Sequence, residues 1–118
     1  MASETKSLVV NVTTTNTWTQ MLDEETAAAY TVPVGGRADL RALMASNLDS
    51  DSGVIDFAIS DNGTITDVER GLPSATLAAG EYALWDSVLV IPTGKGVWVR
   101  VTGTTPNTTF RASILEVT

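Results

Sequence analysis

Neither cysteine nor histidine occurs anywhere in this chain. Without cysteine there are no disulfides and no thiolate metal sites, so stability has to come from packing or from partner subunits. Without histidine the commonest general base and the commonest metal ligand are both missing. Few enzymes of this size work without both, and the residues point to a non-enzyme with no cofactor. Lysine is nearly as scarce, with only Lys6 and Lys95. Fourteen acidic residues against seven basic ones leave a net charge of −7. That average field repels a phosphate backbone, and no Lys/Arg cluster offsets it, which argues against nucleic-acid partners. Anionic membrane surfaces are disfavoured for the same reason. No apolar run approaches the length of a membrane span. Met1–Lys6 lacks the basic and apolar regions of a secretory signal, which predicts a protein made in a cytosol and kept there or released by another route.

What is present is strand chemistry. The 118 residues suffice for one ordinary domain around one core. Thr and Val are abundant, and branched side chains fit a pleated surface better than a helix. From Tyr30 to Ser60 the chain reads strand, turn, strand, turn, strand. Tyr30–Val34 runs into Gly35-Gly36; Leu40, Ala42 and Met44 then recur at every second position, as do Ile55, Phe57 and Ile59. Period-two alternation puts one set of side chains on each face, so one face is buried while the other stays wet. Arg37–Asn47 also contains good helix formers. A preceding Gly-Gly turn, no capping residue in the right place and flanking strands in need of partners favour a strand there.

A polar arm over residues 1–6 is followed by a first strand from Ser7 to Val12, and residues 7–118 read as a single domain. Trp18–Leu22 is ambiguous, and Ala27–Ala29 is too short for a helix of its own. Pro33 confines its strand to an edge or an end. Asp61-Asn62-Gly63 is a tight-turn signal before an expected short strand at Thr64–Val68. Arg70–Pro73 is a break. Ser87–Ile91 is apolar, and Pro92–Gly96 reads as a hairpin connection into Val97, Val99 and Val101, which alternate with Trp98, Arg100 and Thr102. Phe110–Val117 closes the chain. About eight short strands with Gly/Pro punctuation predict an all-β fold, an antiparallel sandwich or jelly-roll-like barrel.

Motifs that suggest chemistry have plainer explanations. Asn47–Gly53 places oxygen side chains at alternate positions like a calcium loop. Its glycine falls one residue late, however, and Ala58 stands where a bidentate Glu belongs, so a solvated turn is the better reading. Gly94-Lys95-Gly96 lacks the upstream glycine and the following Ser/Thr of a phosphate loop, and it precedes a strand. The pairs Glu24/Glu25 and Asp49/Asp51 sit in turns where nothing shifts a carboxylate towards neutrality. If Val97, Val99 and Val101 face the core, Trp98 and Arg100 point outward together, and Trp and Arg are typical interface anchors. Trp98 and Arg100, with Trp18 as a further position, are the interface candidates; the competing reading is that Trp98 packs under a loop of its own subunit.

Tyr30-Thr31-Val32-Pro33-Val34, the glycine turn, the Arg37–Asn47 strand with its polar loop, Leu77–Glu81, Val88–Ile91, the Gly94 turn and the Trp98/Val99/Val101 strand resemble a pattern of small β-sandwich virion proteins of tailed phages. The resemblance spans roughly residues 28–117. It implies a structural role, as a capsid decoration (cement) protein or a neck, tail or fibre-attachment subunit, with no catalytic motif to carry over. It further implies the virion as location after synthesis in the host cytoplasm, the major capsid protein or another virion protein as partner, and a homo-oligomer. A carbohydrate-binding sandwich, stacking sugars on Trp18 or Trp98, is the expectation from a different class.

Overall fold

Alternating branched and aromatic residues build ten strands in a computed structural model that describes residues 2–70, 72–86 and 89–118. They are β1 (Ser3–Val12), β2 (Thr19–Gln20), β3 (Leu22–Asp23), β4 (Arg37–Asn47), β5 (Gly53–Ser60), β6 (Ala75–Leu77), β7 (Tyr82–Trp85), β8 (Leu89–Ile91), β9 (Gly96–Thr102) and β10 (Thr108–Val117). Every pairing is antiparallel. One sheet runs β3-β1-β10-β4-β7, with β8 also on β4; the other runs β2-β9-β5-β6. The inner faces of the two sheets enclose one core, and the fold is the all-β antiparallel sandwich that the alternation predicts. Phe110 lies at its centre, fully buried, with Phe57 edge-on to it at 5.6 Å and to Trp85 at 5.0 Å. Val97, Val99 and Val101 face this core as the alternation requires.

Several local expectations need correction. The polar arm is not free: from Ser3 onward it belongs to β1, and Ser3–Lys6 pairs in register with Val117–Ile114. A polar sequence makes a sound strand when one face is wet and the long β10 offers a full ladder. Leu40, Ala42 and Met44 do not share a face. Between Ser113 and Ile114 the β10 register jumps from Ala42 to Leu40, leaving Arg41 as an extra residue. This bulge flips the side-chain parity, so Leu40, Leu43 and Ala45 are buried while Ala42 and Met44 look outward. The bulge also divides the neighbours of β4, with β7 on Leu43–Ser46 and β8 on Ala38–Leu40.

Tyr30–Val34 is not a strand, and Val34 already belongs to the turn that the Gly36 amide closes on the Pro33 carbonyl. Tyr30 donates to the Met21 carbonyl and Val32 to that of Lys95, so its bonds are divided between two neighbours, and Pro33 has none to give. Thr64–Val68 is likewise no strand: a single 3-10 turn occupies Asp67–Glu69, and the Glu69 carboxylate accepts from the Thr66 amide (2.8 Å) and hydroxyl (3.0 Å). The Thr66/Glu69 spacing of a capping box carried that information. Pro92–Gly96 is a corner rather than a hairpin, because β8 pairs with β4 in one sheet and β9 with β5 in the other. Gly71, Ser87 and Val88 lie outside the described residues, as does that much of the Arg70–Pro73 break and the Ser87–Ile91 strand.

At one end of the sandwich the Tyr30 hydroxyl donates to Glu116 Oε2 at 2.5 Å, and both residues are buried. Burial, then the hydrogen bond to Glu116, holds the Tyr30 hydroxyl well above its usual range, so it stays a donor at any ordinary pH. Tyr30→Phe strands the Glu116 carboxylate without that donor. The expected loss is about 1–3 kcal/mol in urea unfolding at neutral pH.

Candidate functional site

The outward face of the smaller sheet is covered over Asp56, Ala58 and Ser60 by the chain itself. Asp56, on β5, points away from the core yet is almost fully buried. Arg100 from β9 donates to its Oδ2 through Nε (3.2 Å) and Nη2 (3.0 Å), while Arg70 Nη2 reaches Oδ1 at 2.6 Å and the Ser74 hydroxyl donates to the same oxygen. Burial alone pushes the Asp56 carboxyl up; the bonds from Ser74 and Arg100 and the charges of both arginines outweigh it and hold the group below the usual carboxylate range. Trp98 donates from Nε1 to the Ser60 carbonyl at 3.2 Å. Its ring lies against Gly63, where an added Cβ would come within 3.4 Å. Trp18 is stacked by Arg100, whose guanidinium carbon sits 4.5 Å from the ring centroid. Gly63, Arg70 and Ser74, all in the connection between β5 and β6, thus cover this face.

Of the three interface candidates, Arg100 joins Trp18 to Asp56, and Trp98, two residues before Arg100 on the same strand face, meets Ser60 and Gly63 instead. Asp56 itself was missed. An ionisable residue inside the apolar run Val54–Ile59 was the available signal, since a buried carboxylate needs partners. Asn47 was missed too: buried at the end of β4, it donates to the carbonyls of Asp51, Leu77 and Ala78 and accepts from the Asp49 amide. In the same loop the Asp49 carboxylate accepts from Thr105 at 2.8 Å, which holds it below its usual range. Among the described residues no group of acidic side chains is placed to hold a metal ion.

The outward face of the larger sheet is left open. Registers align Leu22, Val9, Arg111, Met44 and Leu84 in one row across five strands. The next row holds three small residues, Ser7, Ser113 and Ala42. Together they form a shallow depression of about 240 Å³, with Ser7, Ser113 and Ala42 as its floor and Arg111, Met44 and Leu84 as a wall. Tyr82, Leu84 and Val90, on the β7/β8 side, are 71%, 56% and 55% exposed, half of the exposed large hydrophobics of the described residues. The outward positions of these strands include no Lys and no Glu. Their one carboxylate, Asp39, lies 3.6 Å from Arg37, and Glu24 reaches in from the rim to Arg111 at 3.1 Å. Arg, Met and Tyr without Lys or Glu is the composition of an interface core, in a chain with fourteen acids. At about 4.8 Å between strands and about 3.3 Å per residue, the face spans roughly 600–700 Å², near the roughly 800 Å² per partner of a standard interface.

No family model matches the chain, and no curated protein matches it. The fold is similar to that of a chain in a structure of Bacillus endospore appendages, described as "a novel family of disulfide-linked pili", with a TM-score of 0.51. That likeness covers 98% of this chain and 88% of the other at 13% sequence identity, and it is a likeness of fold.

Proposed function

We propose that this protein is a structural subunit that works by adhesion, and that its setting is the outside of a tailed-phage capsid, where it decorates the shell. The observation that carries adhesion is the contrast between the two sheet faces. One is covered over its central strand by the connection between β5 and β6. The other is open, apolar but for Arg111 along one cross-strand row, and almost free of carboxylates. A rigid sandwich with such a face stabilises an assembly by binding its assembled state, and the expected partners within that assembly are the major capsid protein and further copies of this chain. The phage setting is supported by the sequence pattern over residues 28–117. The lack of histidine and cysteine agrees with a role that needs no turnover.

Counting copies of the chain in purified particles by quantitative mass spectrometry tests this. On the order of hundreds per particle is expected for a shell component; six or twelve reassigns it to the neck, tail or a fibre, as closed symmetric rings require. Absence from particles overturns the phage setting. The fold likeness to the endospore appendages favours one second reading, a subunit of a fibre outside any virion. Without cysteine such a fibre would be held by surface contacts alone. Against the carbohydrate-binding alternative stand the stack of Arg100 on Trp18 and the packing of Trp98 against Gly63. Glycan titration is expected to leave tryptophan fluorescence unchanged.

A further inference from the structure

The geometry points to an occupant for the open face: the Asp67-Val68-Glu69 turn of a second copy of this chain, so that copies associate head to tail. This rests on the reading of the protein as an adhesive subunit and adds what it adheres to and in which sense.

Charge selects the partner. On the open face Arg37, Arg41 and Arg111 stand against Asp39 and the rim residue Glu24, a balance of +1. The chain carries −7 in all, so the rest of its surface holds −8. Two such faces pressed together would oppose arginine to arginine, which disfavours a symmetric dimer through this surface. The same face is complementary in net charge to the acidic remainder of a second copy. Arg41 sharpens this point: the bulge leaves it exposed beside Ala42, and it makes no ion pair among the described residues.

Shape selects the segment. Val68 is 94% exposed at the tip of the 3-10 turn, between two acids. An apolar tip beside the Asp67 carboxylate matches a depression lined by Ser7, Ser113, Ala42 and Arg111, with Arg41 next in the chain to Ala42; the Glu69 carboxylate is held by Thr66 and Lys95. Val68 supplies the buried apolar contact, and Asp67 faces the arginines. The turn borders the open face at Val90 but shares no residue with the depression. A copy that inserts its turn without receiving one in return makes a heterologous contact, and repetition gives a ring if the rotation closes and a fibre if it does not.

Sedimentation of the full chain tests the proposal, using two variants at exposed positions, Arg41→Glu at the bulge beside the depression and Val68→Asp in the turn. Wild type is expected to associate with rising concentration and to dissociate as salt is raised. Each variant alone is expected to associate at least tenfold more weakly. An equimolar mixture of the two should form a heterodimer of twice the 12.4 kDa chain mass and stop there, because one intact depression meets one intact turn. A mixture that stays monomeric, or a variant that associates like wild type, overturns the proposal. So does wild type that remains monomeric at millimolar concentration. If monomeric wild type still bound particles, and Met44→Asp abolished that binding, the adhesive reading would stand and the head-to-tail contact would fall.

Discussion

Asp56→Asn is expected to remove about 3 kcal/mol of stability at neutral pH, the low end for breaking a buried ion pair, because both guanidinium partners retain some solvent. The carboxylate is 3% exposed, against 30% for the Arg70 and 23% for the Arg100 side chain. An asparagine of the same shape leaves two arginines facing a neutral amide and turns two of its own donors towards them. The connection between β5 and β6 loses its anchor at Arg70 and Ser74, and the stack of Arg100 on Trp18 loosens with it. The pH dependence carries a definite sign. The folded group titrates below its ordinary value of 3.8, so its contribution is complete above that value and is lost as pH falls through the folded one. Urea midpoints of wild type and variant should therefore differ most near neutrality and converge at pH values below about 4. An equal gap at neutral pH and in acid would show that the carboxylate charge is not what holds the segment.

Phe110→Ala is expected to cost about 3–5 kcal/mol, the range for emptying a fully buried aromatic site. Phe110 lies on β10 between the registers of β1 and β4, and its ring meets Phe57 of the opposite sheet. The contact joins the two layers, so the cavity cannot close without moving a whole sheet. Leu84→Ala, at a position of the open face 56% exposed, should change stability by no more than about 0.5 kcal/mol. Chemical unfolding of the two variants side by side checks both values. A Leu84 effect as large as that of Phe110 would mean that the open face is part of the fold and not a surface kept free for a partner.

The alternation of Val97, Val99 and Val101 with Trp98 and Arg100 was enough to place one valine face in the core and the other side chains outside. The Gly-Gly turn and the absent cap were enough to make Arg37–Asn47 a strand despite its helix formers. What Trp98 and Arg100 meet was not legible. Their partners, Ser60, Asp56 and Trp18, are distant in the chain, and only the fold brings them near. The same holds for Met44. Read along the strand it belongs with Leu40, and a single extra residue opposite β10 turns it outward, where it becomes part of the open row.

The sequence by itself determined that this is a cysteine-free, histidine-free antiparallel β-protein with an acidic surface, because strand period and side-chain chemistry are local properties. Tertiary structure alone decided which sheet face is partly covered and which stays open. That choice depends on where the connection between β5 and β6 lies and on where the β4 bulge falls, and both follow from pairings between residues far apart in the chain.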